Sequence, residues 1–142
     1  MARSYKRGAE FPHEGFVQHA LERHFANRGY EIDSGGRVDL LCQSLANGQS
    51  WHIEVKGVTT QIGLDFRTGL GQLVQAVTAG NMMYGLAIPD TPAFRTQVAR
   101  VSRRVTEALN LHWLLVSPDG GVLIVPPTGA MPALAADSDS NE

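Results

Sequence analysis

The sequence predicts a single α/β domain built on a mixed central sheet flanked by helices. Three features lead there. Two strand-like runs, Arg37 to Gln43 and Trp51 to Gly57, bracket Asn47-Gly48, the strongest short-range signal for a β-hairpin. Met82 to Ile88 is a continuous apolar run ending at Pro89, as expected of a strand covered on both faces. Helical periodicities fill the intervals, giving the order helix, strand, hairpin, helix, strand, helix, hairpin.

The first helix is expected from Pro12 to about Arg28, with Gly29 as its stop. Val17, Leu21 and Phe25 line one face as a core stripe, Glu14 lies within that stripe at the helix start, and Glu22 and Arg23 point away. Gly29 to Ile32 reads as a short strand before the turn Asp33-Ser34-Gly35-Gly36. Residues 58–68 read as an irregular polar connection in which Thr59, Gln61 and Arg67 are candidate phosphate or water contacts. A second helix is expected from about Thr68 to Gly80, with Leu73, Ala76 and Val77 packing down and Gln72 in its first turn. Thr91-Pro92 opens a third helix whose buried face is Phe94, Val98, Val101, Val105 and Leu109, with Arg100, Arg103 and Arg104 outside. Leu111 to Val116 and Val122 to Val125 form the closing strands around a Ser117–Gly121 turn.

Composition bounds the function. The chain has 142 residues, 43% of them hydrophobic and 18% charged, which suits one soluble domain with a real core. No run approaches the roughly 20 apolar residues of a membrane span, and the basic start Met1 to Gly8 has no apolar segment behind it, so a cytoplasmic home is the expectation. The lone Cys42 excludes an internal disulfide and a cysteine-based zinc site, and reads as a small buried core residue. Net charge is −2, from 12 Lys+Arg and 14 Asp+Glu, which argues mildly against a nucleic-acid partner. Setting aside the tail acids Asp137, Asp139 and Glu142 softens that objection. Residues 1–11 are expected as a flexible arm carrying Arg3, Lys6 and Arg7, residues 12–127 as the domain, and residues 128–142 as a disordered acidic tail.

The hairpin carries the chemistry. With Asn47 and Gly48 as the two central residues of a tight turn, Gln43 faces His52, Leu41 faces Glu54, and Asp39 faces Lys56. Asp39, His52, Glu54 and Lys56 then share one face, and Val38, Leu40, Cys42, Ile53 and Val55 share the other. A longer turn would shift the pairs, but Glu54 and Lys56 share a face by their spacing alone. Two carboxylates and an ammonium on one sheet face are expensive to bury without a purpose. Such oxygen donors suit Mg²⁺, and a neighbouring lysine can orient a water or stabilise charge on a phosphate. His52 on that face is as open to a structural as to a catalytic role, and Trp51 reads as core.

Asp39, followed after fourteen intervening residues by Glu54-Val55-Lys56, resembles the signature of the PD-(D/E)xK, restriction-endonuclease-like nuclease superfamily. Among its members the chain is most similar to small Mrr-type and Holliday-junction-resolvase-like proteins, over residues 12–116. The resemblance implies a core of helix, three antiparallel strands, helix and further strand. It also implies a Mg²⁺-dependent nuclease, with Mn²⁺ able to substitute and DNA the expected substrate. Asp39 and Glu54 would hold the metal with the carbonyl of Val55, and Lys56 would orient the attacking water. Glu14, or alternatively Gln18, would reach the site from the first helix, and Gln72, with Gln75 as fallback, from the second. Members of this size usually act as homodimers. The competing expectation is an inactive nuclease-fold module that binds nucleic acid or a protein partner; a third treats Asp39 and Lys56 as a simple cross-strand ion pair.

Overall fold

A computed structural model describes residues 8–34, 39–78, 81–129 and 131–132. Helix α1 (Glu14–Ala26) precedes strands β1 (Tyr30–Asp33), β2 (Leu40–Ser44) and β3 (Ser50–Val55). Helix α2 (Ile62–Ala76), strand β4 (Met83–Pro89), helices α3 (Pro92–Ala99) and α4 (Arg103–Leu109), and strands β5 (Leu111–Val116) and β6 (Val122–Val125) complete the α/β domain. The six strands lie side by side in chain order, and only β3–β4 and β4–β5 are parallel. No helix among the described residues is long and apolar enough to cross a membrane.

Strand alternation divides the core into two layers. Leu40, Cys42, Trp51, Ile53 and Val55 face Val17, Leu21 and Phe25 of α1, as the stripe predicts. Tyr84, Leu86, Ile88 and Trp113 face Phe66 and Leu73 of α2 and Phe94 and Val98 of α3. Burial keeps Cys42 inert: desolvation, reinforced by the charge of Glu22, pushes its thiol up to about 12. Glu22 is therefore half-buried beside the core rather than pointing away.

Further sequence expectations are corrected. Helix α2 starts at Ile62, so most of the expected loop 58–68 is helical and Thr68 is an exposed mid-helix residue, not a cap. Gly63 disguises the first turn of this helix, because glycine is a poor helix former. The third helix is two: Ser102 has extended backbone (φ −76°, ψ 157°) and restarts the chain as α4. The restart changes the helical phase and leaves Val105 39% exposed, whereas Val101 and Leu109 still pack on the core.

The hairpin turn is longer than Asn47-Gly48. Ser44 pairs with Gln49, its N–H donating to the Gln49 carbonyl at 2.7 Å, so the loop holds Leu45 to Gly48. The Ser44 hydroxyl accepts from the N–H groups of Ala46 and Asn47, and Asn47 Oδ1 accepts from Gln49 N–H at 2.9 Å. These side-chain bonds make the wider turn self-sufficient. The register moves by two residues, to Leu41 opposite His52 and Gln43 opposite Ser50. An even shift keeps every side chain on its expected face.

After β6 the chain folds back on the helices. Arg95 binds Asp90 through two nitrogens, at 2.6 and 2.9 Å, and donates to the Pro132 carbonyl, while Thr106 Oγ1 donates to the Pro127 carbonyl at 2.8 Å. Met131 packs on the second core layer. The tail expected to be disordered from 128 is thus anchored as far as Pro132; residues 130 and 133–142, and the basic arm residues Arg3, Lys6 and Arg7, lie outside the described residues.

Gly85 lets β5 close on β4, since a Cβ there would lie 2.4 Å from Leu114 Cδ1. Gly85→Ala is expected to destabilise the protein by about 1–3 kcal/mol through overpacking. A lower urea midpoint at unchanged slope is the measurement that checks it.

Candidate functional site

The corrected register decides what stands opposite what. Continuing the Leu40–Ile53 pairing by one residue sets Asp39 across from Glu54 rather than across from Lys56. Asp39 Oδ2 accepts a hydrogen bond from the Val55 N–H at 2.7 Å, which pins its carboxylate against the end of β3. A residue's N–H and C=O leave a strand on the same side, so the Val55 carbonyl also faces this edge. A simple Asp39–Lys56 ion pair is not what the register sets up.

Glu54 is 5% exposed. Burial first, then the negative charge of Asp39 and a hydrogen bond shared with it, push its carboxyl up to about 7, with Glu14 adding to the rise and Lys56 opposing it. Three groups named from sequence, Glu14, Asp39 and Lys56, therefore lie within electrostatic reach of Glu54.

Two glycines make that convergence possible, and neither stood out in the sequence. A Cβ at Gly57 would lie 2.2 Å from the backbone N of Glu14, and Val58 N–H donates to the Pro12 carbonyl at 2.9 Å. The start of α1 is thereby docked on the chain leaving β3, which carries Glu14 to the site. A Cβ at Gly69 would lie 3.0 Å from Lys56 Cε and 3.2 Å from Leu86 Cδ1. Helix α2 thus lies directly on the aliphatic stem of Lys56, and glycine is tolerated mid-helix for that close approach. Only distances in the folded chain give these glycines a purpose.

No family model matches this chain, and no curated protein matches it. The site is thus read from its own chemistry.

Of the alternatives, Gln18 is buried but donates to Glu22 Oε2 at 3.2 Å, which leaves Glu14 as the α1 group near the carboxylates. Gln72 sits in the third turn of α2 rather than its first, one turn past Gly69, and is exposed. It lies nine residues on from Gly63, which is packed near Gln97 of α3. At 100° per residue Gln72 therefore occupies the flank turned away from α3. Gln75 is exposed. Thr59 is tied to the helix start, its hydroxyl bonded to Asp65 and accepting from Gln61 N–H at 3.0 Å, and Arg67 is exposed.

His52 shares the charged face and lies beside the Tyr84 ring, with centroids 5.8 Å apart. Its Nε2 is buried with no hydrogen-bond partner among the described residues. Burial lowers its pKa, and the charge of Asp39 opposes that.

Among the described residues no three His, Cys, Asp or Glu side chains form a metal-holding group. The donor set is two opposed carboxylates and a backbone carbonyl at their edge. That set fits Mg²⁺, which is commonly held by one or two carboxylates and keeps several waters, and does not fit an all-protein cage of the zinc type. Two like charges on facing strands need either a shared proton or a cation between them.

Two outcomes follow. Because Glu54 keeps its proton to about 7 when folded against 4.5 ordinarily, the folded state is favoured while the carboxyl is protonated. Without divalent cations, stability is expected to fall as pH rises from about 4.5 through 7, and Glu54→Gln to flatten that fall. Denaturant unfolding at several pH values between these limits measures it. Gly57→Ala is expected to force α1 off the end of β3 and cost about 1–3 kcal/mol, read as a lower urea midpoint.

Proposed function

We propose that this chain is a Mg²⁺-dependent nuclease of the PD-(D/E)xK kind, hydrolysing phosphodiester bonds in DNA. The observation that carries this reading is Asp39 set across from buried Glu54, with Lys56 two residues on along the same face. A register that opposes the two carboxylates supports their holding one cation together.

Asp39 and Glu54 would hold Mg²⁺ or Mn²⁺ together with the Val55 carbonyl. Bound there, the cation supplies a Lewis acid that neutralises a scissile phosphate and acidifies a water. Asp39 is positioned for this by the Val55 N–H. Glu54 must first give up its proton, so cation affinity rises with pH through about 7. Lys56, its stem packed beneath Gly69, directs its ammonium at the attacking water and offsets charge developing on the phosphate. Glu14 contributes negative charge from the α1 start and orients water at the edge of the site. Gln72 would assist from α2. A homodimer is the working unit in this reading, since one small domain has little surface for two strands, and its setting is the cytoplasm.

Lys56→Ala and Asp39→Ala are each expected to lower Mg²⁺-dependent cleavage about 10²-fold or more while folding survives. Plasmid and oligonucleotide cleavage by the purified variants, with circular dichroism as the folding control, is the measurement. Full activity in either folded variant overturns the assignment.

A further inference from the structure

Five arginines, Arg67, Arg95, Arg100, Arg103 and Arg104, gather along α3, the start of α4 and the facing part of α2. Their partners divide them. Arg95 is held by Asp90, and Arg103 by Glu107. Arg67, Arg100 and Arg104 are exposed, and among the described residues no carboxylate bonds any of them. Gln97 links two of these three. Arg67 Nη1 and Gln97 Nε2 lie 3.4 and 3.5 Å from where a Cβ on Gly63 would stand. Arg100 N–H donates to the Gln97 carbonyl at 3.1 Å, one turn further along α3. Arg104 follows in the first turn of α4. Like charges collected on one surface repel, and an anionic partner relieves that repulsion.

The chain itself supplies such a partner. Of the residues outside the described ones, only 133–142 contain acids, namely Asp137, Asp139 and Glu142, and that stretch holds no Lys or Arg. The fold delivers it to the arginines. Thr106 of α4 donates to the Pro127 carbonyl at 2.8 Å, Met131 packs on the second core layer, and Arg95 of α3 donates to the Pro132 carbonyl. The chain thus crosses from α4 to α3 and leaves Pro132 beside Arg95. Arg100 lies five residues on from Arg95, a helical rise of roughly 7.5 Å. Asp137 lies five residues beyond Pro132, an extended reach of roughly 17 Å, and Glu142 has twice the chain. So short a tether gives its carboxylates a high effective concentration at the arginines. Arg23 and Arg28, the other exposed arginines among the described residues, sit on α1 across the sheet.

We propose that residues 133–142 form an acidic strap over Arg67, Arg100 and Arg104, occupying guanidiniums that would otherwise take phosphate groups. Exposed ion pairs are individually weak, so the strap is held by several of them together and by its tether, and salt loosens it. The guanidinium fork binds carboxylate and phosphate alike. A phosphate-bearing strand therefore gains these arginines only by displacing the strap. The strap uses none of the residues at the carboxylate site and is independent of the nuclease reading.

Contact and exclusion are tested separately on the full chain. A nitroxide attached at Ser140→Cys reads the contact, and Cys42 escapes labelling because it is buried. In about 50 mM salt the label is expected to broaden the amide NMR signals of residues 100–104. Raising the salt to about 500 mM is expected to restore them, as is neutralising the tail with Asp137→Asn, Asp139→Asn and Glu142→Gln together. Fluorescence anisotropy with a labelled oligo-dT strand reads the exclusion. The neutralised tail is expected to give about fivefold tighter binding than the wild type, the low end of coupling between competing ligands. Arg100→Ala with Arg104→Ala is expected to remove that gain, and urea midpoints check that every variant folds. Four outcomes each overturn the strap: no broadening at residues 100–104; broadening that salt and neutralisation leave unchanged; equal oligo-dT affinity with either tail, no binding in both included; or a gain that persists without the two arginines. None of them bears on the nuclease reading, which stands or falls on Lys56→Ala and Asp39→Ala.

Discussion

Two carboxylates held on facing strands at one end of a sheet are the constraint from which the rest of this structure can be understood. Asp39 is fixed by the Val55 N–H, and Glu54 is buried on the neighbouring strand. The loss of solvent, and then their mutual repulsion, raise Glu54 well above the ordinary carboxylate range. A fold that only needed a stable sheet would place apolar residues here, as the other face of the same strands does. The surrounding elements close on this point without covering it. The start of α1 rests on Gly57 and the middle of α2 rests on Lys56 at Gly69.

The two faces of the sheet answer different demands. The α1 face is apolar along Leu40, Cys42, Ile53 and Val55, and those four side chains are fully buried. The α2 face is apolar only from β4 onwards; over β2 and β3 it carries Leu41 among polar and charged groups. A single helix is about as wide as two strands. One helix placed over β3 and β4 therefore leaves β1 and β2 uncovered on that side, and an open cleft beside the carboxylates follows from that width.

What could be read along the chain was whatever depends on period and local chemistry. The core stripe of α1, the buried runs of β4 and β5, the Thr91-Pro92 helix start and the sharing of a face by Glu54 and Lys56 all rest on spacings of 2 or 3.6 residues. The misjudged places were those where a local signal was answered from elsewhere. Asn47-Gly48 suggested a two-residue turn, but the Ser44 hydroxyl held a longer one. Residues 58–68 read as a polar loop, although α2 starts at Ile62 and lies against Lys56 at Gly69. Ser102 restarts a helix that periodicity alone ran straight through.

The sequence by itself determined which residue types face which way, because strand and helix periods are properties of the backbone. It also placed Asp39, Glu54 and Lys56 on one face for any even shift of the hairpin register. Only the tertiary structure decided that Asp39 stands opposite Glu54 and not Lys56, that Glu14 rather than Gln18 approaches them, and that β1 and β2 stay unroofed. Each of those outcomes turns on distances between segments far apart in the chain, such as Gly57 against Glu14, which no local spacing encodes.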